Sequence, residues 1–368
     1  MSTRKDKFSK KDINYMKLAL NLASARHGLT GKNPSVGCVI VKNDQIISIG
    51  QTGYNGTPHA EYNAIKNSNQ GLEGSKMYVT LEPCSHYGKT PPCTNVIIKK
   101  KIGEVIYSIE DVDKKVRGKS FKILKSNNII VKKDLLKKEI TDFYKPYFFN
   151  RKNNIPYVTG KIAVSKNNLI YSKGVKKITD VHSNKLTHFL RYKNDSIMIS
   201  YKTLNKDNPK LDCRLEGLNK FSPKRIILDN NLEMETNSYI YKTVNKNNTI
   251  IFYNQAITSK ILLFKKKGIQ LIKSSLVNNK YFDFKLILKK LYKLDCRNLL
   301  VEGGNDLSKN ILKNKLFNEF YLFKSSKKLS MLVAHKHFNS FNYLSQNYKS
   351  KLKINTKLGK DSITLYKK

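Results

Sequence analysis

The residues of this chain best suited to chemistry are His59-Ala60-Glu61 and the cysteines of Pro83-Cys84 and Pro92-Cys93. One imidazole and two thiolates give three ligands for a tetrahedral zinc ion and leave a fourth position for water, the plan of a catalytic site. Zinc lowers the pKa of such a water toward neutrality and so supplies a hydrolytic nucleophile. Glu61, two residues past a ligand, is placed to shuttle the proton. A structural zinc site would want a fourth protein ligand, for which His86 is the candidate at suitable spacing. Three unconnected buried residues are the remaining alternative.

Elements must hold these groups in place. Apolar residues at Ile13, Met16, Leu20 and Ala23 predict a helix over 11–27. A buried strand is expected over 36–41, with a hairpin partner over 46–49 across Lys42-Asn43-Asp44-Gln45. Gly53, Gly56 and Pro58 mark a loop into a helix from Ala60 to Lys66, which puts His59 and Glu61 at its start. A strand over 76–80 ends at Glu82-Pro83-Cys84, and Pro91-Pro92 open a helix that begins beside Cys93. A strand over 103–109 follows, and the alternation indicates a layered α/β domain. Prolines and polar residues over 145–160 interrupt the pattern, so domains of 1–148 and 149–368 are expected. The second half has strands over 157–163, 196–200, 224–228, 249–253 and 298–301, with helices between several of them.

A length of 368 residues suits two domains, each with its own core. No apolar run reaches the roughly 20 residues of a bilayer span. The first residues lack an apolar signal segment and include acids that do not suit a transit peptide, so a cytoplasmic enzyme is expected. Five cysteines are too few for a disulfide framework, and Cys38, Cys213 and Cys296 read as buried thiols. The net charge of +43 is spread along the chain as lysine, which argues against a dedicated nucleic-acid surface.

Nucleic-acid and nucleoside deaminases share the His-x-Glu…Pro-Cys signature but place two residues between their cysteines. Here eight intervene, from Ser85 to Pro92, and the loop carries His86 and Lys89. The run Thr80-Leu81-Glu82-Pro83-Cys84-Ser85-His86-Tyr87-Gly88-Lys89-Thr90-Pro91-Pro92-Cys93 resembles the deaminase motif of the bifunctional riboflavin-biosynthesis deaminase/reductase family. Pro58-His59-Ala60-Glu61 and Asn33-Pro34-Ser35-Val36-Gly37-Cys38-Val39 resemble it too. The resemblance implies a cytidine-deaminase-like three-layer α/β/α domain with zinc on His59, Cys84 and Cys93. It also implies Glu61 as the catalytic residue, with Asn33, Lys89 and Asp111 on the substrate. That substrate would be 2,5-diamino-6-ribosylamino-4(3H)-pyrimidinone 5′-phosphate, losing its 2-amino group. Asp113 stands where the family has Asn, which replaces amide donors by a carboxylate.

The second half resembles the dihydrofolate-reductase-like α/β domain of the same family, which reduces the ribosyl chain with NADPH. Lys161-Ile162-Ala163-Val164-Ser165 fits its first strand, implying substrate contact for Lys161 and cofactor contact for Ala163. Thr203 and Asp207 are implied at the cofactor, and Arg191, Leu211 and Arg214 at the substrate. Leu300-Val301-Glu302-Gly303-Gly304-Asn305 fits a strand-to-helix turn, with Glu302 at the substrate and Gly304 and Asn305 at the cofactor. Lys166-Asn167-Asn168 replaces the family's Leu-Asp-Gly, while Val175 and Lys177 replace its Ser and Trp. These departures leave a deaminase with a degenerate reductase domain as the alternative, and a nucleic-acid base deaminase as a more distant one. A phosphorylated pyrimidine is the expected small-molecule partner, and the family implies a homo-oligomer.

Overall fold

The computed structural model describes residues 8–88, 90–114, 116–245, 248–354 and 359–368. The chain divides into two compact units, Met1–Asn154 and Ile155–Lys368.

In the first unit a five-stranded sheet has the order β2-β1-β3-β4-β5, with β1 (Gly37–Lys42), β2 (Gln45–Gln51), β3 (Lys76–Leu81), β4 (Glu104–Ile109) and β5 (Ile130–Lys133). The first strand is antiparallel to both its neighbours, and β3, β4 and β5 run parallel. Helices α1 (Lys10–Arg26) and α2 (Ala60–Lys66) pack on opposite faces, and two glycines make this possible. A Cβ at Gly37 would lie 1.8 Å from the Ala19 carbonyl oxygen of α1, and one at Gly50 would lie 2.2 Å from that of Ala60 in α2. The expected three layers are present. α5 (Lys137–Asn153) joins the α1 face, where the Tyr144 hydroxyl meets Thr80 at 2.7 Å and donates to the Ser35 carbonyl at 2.8 Å. α3 (Cys93–Lys99) and α4 (Lys119–Ser126) continue the layer begun by α2.

Pro146 does not interrupt the chain: α5 runs through it to Asn153, and the division between the units follows directly after that helix. A proline inside a helix forfeits one main-chain hydrogen bond. The ring cluster of Phe143, Tyr144, Tyr147 and Phe148, together with the buried Tyr144 hydroxyl bonds, offsets that loss.

The second unit is built on a nine-stranded sheet, mostly parallel, in which Ser362–Lys367, one strand in from an edge, runs antiparallel to both its neighbours. At its centre Asn298–Val301 lies between Ser196–Ser200 and Tyr157–Val164, parallel to both. These strands are short continuous apolar runs, as sheets covered on both faces require. The expected strands over 196–200, 224–228, 249–253 and 298–301 fall at those residues. His335–His337 forms a strand against Leu169–Ser172.

Candidate active site

In the first unit a cavity of ≈ 420 Å³ opens over His59, Glu61 and Cys84. His59 caps α2 in extended backbone, and Glu61 lies in that helix's first turn. The absence of a side chain at Gly50 lets α2 settle onto β2, which carries Glu61 into the interior at 4% exposure. Cys84 follows the end of β3, and Cys93 is the first residue of α3. The opening turn of α3 donates Cys93 N–H to the Cys84 sulfur at 3.3 Å and Thr94 N–H to the Cys84 carbonyl at 3.2 Å. A helix N-terminus pointed at a sulfur favours the thiolate.

His59 Nδ1 stands 3.4 Å from both the Cys84 and the Cys93 sulfur, and the three ligand atoms lie within 4.8 Å of one another. A tetrahedral zinc at its usual bond lengths separates neighbouring N and S ligand atoms by roughly 3.6 Å. The donor set therefore fits zinc, and it is the one such cluster among the described residues. The Cys93 sulfur, then His59, holds the Cys84 thiol down to about 4. The same contact, then burial, pushes Cys93 up, and metal ligation requires both as thiolates. Burial raises the Glu61 carboxyl to about 7. A bound cation would draw it down again.

The sequence-derived contacts fall around this centre. Asn33 lines the cavity and donates to the Gly56 carbonyl at 2.9 Å. Gly56 has φ +90, and a Cβ there would strike the Asn33 side chain at 2.7 Å, so glycine is required. Asp111 and Asp113 also line the cavity, and Asp113 N–H donates to Asp111 Oδ1 at 2.9 Å. Lys89 lies outside the described residues.

Two wall residues were not singled out from the sequence. Glu82 is buried and accepts from Asp111 N–H, Gly118 N–H, Ser120 N–H and, at 2.7 Å, Ser120 Oγ. It ties the loop carrying Asp111 and Asp113 to the strand end that delivers Cys84. A carboxylate next to a Pro-Cys ligand was the available signal. Tyr147, inside the stretch expected to be interrupted, donates to Asp111 Oδ1 at 3.2 Å.

In the second unit the implied substrate residues contact one another. Arg191 and Glu302 form a buried pair, Nε–Oε1 at 2.7 Å and Nη2–Oε2 at 2.9 Å. Lys161 is near this pair, its ammonium 5.1 Å from the Phe323 ring centre, and burial pulls its pKa down. Leu211 is buried with φ +56, so its side chain is packed inside the unit. Arg214 meets Asp212 at 3.4 Å. Among the cofactor residues, Thr203 and Gly304 come together: a Cβ on Gly304 would lie 3.6 Å from Thr203 Oγ1. Asn305 begins the helix after Gly304, which suits a phosphate-bearing cofactor. Asp207 ends the Tyr201–Asp207 helix, one turn past Thr203, and Ala163 sits in the Tyr157–Val164 strand.

The replaced Leu-Asp-Gly keeps its turn. Asn168 adopts φ +64, a conformation asparagine tolerates, and Asn167 accepts from Ser165 Oγ at 2.8 Å and from Leu329 N–H at 3.0 Å. Val175 and Lys177 lie in the exposed link before Val181–Lys193, and the structure shows no substitute there for the family's indole.

Known proteins align with both units. Residues 9–109 match the model of the cytidine and deoxycytidylate deaminase zinc-binding region, and 156–329 that of the RibD C-terminal domain. The riboflavin biosynthesis protein RibD of Aquifex aeolicus is 34% identical over 318 residues, spanning 86% of this chain and 87% of its own. That of Buchnera aphidicola is 33% identical over 372 residues, spanning 95% and 97%. Acinetobacter baumannii RibD superposes with TM-score 0.83 at 25% identity, over 97% of this chain and 98% of that one. The Thermotoga maritima deaminase/reductase superposes with TM-score 0.80 at 26% identity, over the same shares. A zinc-ligand cluster in a cytidine-deaminase-like unit, joined to a dihydrofolate-reductase-like unit and matched along nearly its whole length, places this chain in the RibD family of bifunctional deaminase/reductases of riboflavin biosynthesis.

Proposed function

We propose that each activity is carried by the residues its own unit brings together. The observation that carries this reading is the clustering of the His59, Cys84 and Cys93 ligand atoms at a cavity lined by His59, Cys84 and Glu61. Zinc, when bound by the three ligands, supplies Lewis acidity to a water. Glu61 takes one proton of that water as the water oxygen bonds the amine-bearing carbon and passes it to the adjacent ring nitrogen; it then carries the proton of the new hydroxyl to the amine, whose bond to carbon breaks to release ammonia and leave the carbonyl. Asn33, Asp111 and Lys89 hold the phosphorylated diaminopyrimidine, with Asp113 as an acceptor on the same wall.

In the second unit NADPH supplies the hydride that converts the ribosyl chain to ribityl. Thr203, Gly304 and Asn305 cradle the cofactor, with Ala163 and Asp207 beside it. Lys161, Arg191, Leu211, Arg214 and Glu302 form the substrate side, where the Arg191–Glu302 pair fixes two of the charges. Reduced thiols at the metal site suit the cytoplasm. The chain assembles as a homo-oligomer, as the family resemblance implies.

Supplying the purified protein with the deaminated ribosylamino intermediate and following NADPH absorbance tests this division. Oxidation that survives zinc chelation and stops on Asp207→Asn is expected. Loss of NADPH oxidation on chelation, or unaltered oxidation in Asp207→Asn, would contradict it.

A further inference from the structure

One helix of the second unit grips the 211–214 segment with two side chains a turn apart. Leu211 has φ +56, and the Asp212 carbonyl that follows accepts from Arg191 Nη1 at 3.1 Å. His188 Nδ1 stands 3.1 Å from the same carbonyl oxygen. On the other side of the ring, His188 Nε2 faces Arg214 Nη2 at 3.3 Å. A guanidinium only donates, so this contact requires Nε2 without hydrogen and Nδ1 with it. That tautomer satisfies the Asp212 carbonyl and the Arg214 side chain together. Arg214 N–H also points at Nδ1 at 3.2 Å and could be accepted only by the other tautomer, which would set Nε2–H against the guanidinium. The imidazole is buried at 4% exposure, whereas the Arg214 side chain is 47% exposed. A fixed acceptor thus stands behind a cation that reaches outward.

We propose that His188 is a positioning residue of the reductase, its neutral imidazole aiming the Arg214 guanidinium at the anionic substrate. The inference rests on the reading of Arg214 as a substrate contact. Protonation would set an N–H against the guanidinium and release it. The groups facing the ring are Arg191 from its own helix, Arg214 and Asp212 from the segment, and Glu302 from the turn after the central strand. Burial, then the two arginine charges, favours the neutral ring.

The test is steady-state NADPH oxidation by the full chain on the deaminated ribosylamino intermediate, from about pH 5.5 to pH 8 across the histidine range. His188→Asn keeps a donor near Nδ1 and loses the acceptor at Nε2, whereas His188→Gln keeps an acceptor there. The expected result is a KM for the intermediate raised about tenfold in His188→Asn, the size of one hydrogen bond to a charged group. The KM for NADPH and kcat stay within about twofold of wild type, and His188→Gln recovers most of the loss. Wild type shows KM rising toward acid pH, and His188→Gln does not. Equal KM in wild type and His188→Asn, equal effects of Asn and Gln, or an acid rise that persists in His188→Gln would overturn the proposal. If His188→Asn fails to fold, judged by its melt and its NADPH KM, the wild-type and His188→Gln pH profiles decide alone. Absence of oxidation by wild type itself would instead contradict the reductase reading.

Discussion

The two units organise their charged residues in opposite ways. In the first, three ligand atoms converge from separate elements with a spacing that suits an ion, and Glu61 is buried beside them. In the second, the charges are already matched to one another: Arg191 with Glu302, Arg214 with Asp212 and His188. A metal centre is completed by its ion, so its residues are recognisable by donor type alone. A substrate site built of paired charges is pre-organised by the protein, and its members are indistinguishable from structural ion pairs until their geometry is seen.

The sharpest way to break this contrast is to remove one group from each unit. Glu61→Gln is expected to keep zinc, by metal analysis, and to lower deamination roughly a thousandfold, within the range for general acid–base catalysis. Replacement of Cys84 by serine should release the ion and abolish ammonia formation while NADPH oxidation on the deaminated intermediate continues. Glu302→Gln leaves Arg191 buried without its partner and should destabilise the second unit by about 3–5 kcal/mol in denaturant titration. Glu302 also sets a pH signature. Against burial, the Arg191 charge holds its carboxyl down to about 2 in the folded chain. Its contribution is therefore complete above the unfolded value near 4.3 and is lost as pH falls toward about 2. Acid melts of Glu302→Gln should be flatter across that window than those of wild type. The smallest effect is expected for Tyr144→Phe, about 1 kcal/mol from lost hydroxyl bonds to Thr80 and Ser35, read in the melt of the first unit.

What was legible in the sequence follows the same divide. Short apolar runs such as Ile197–Ile199 and Leu299–Val301 declare buried strands, because nothing else tolerates such sequence in a central sheet. His59, Glu61, Cys84 and Cys93 stood out because few residue types ligate zinc. The continuation of α5 through Pro146 was hidden, since its stability comes from ring packing and a tyrosine bond to a residue over a hundred positions away. Glu82 was passed over because its four donors come from a loop and a helix start remote in sequence. Asn168, where the family has Gly, adopts φ +64, a left-handed conformation that asparagine tolerates and that the residue type alone does not announce. Pairings such as Arg191 with Glu302 depend on a parallel crossover that periodicity does not encode.

The most direct test of two independent chemistries on one chain uses the Glu61→Gln protein with NADPH and each substrate in turn. The account predicts wild-type NADPH oxidation with the deaminated intermediate and none with the diamino substrate, which this protein would not convert. Oxidation with the diamino substrate, or its loss with the deaminated intermediate in a folded protein, would contradict it.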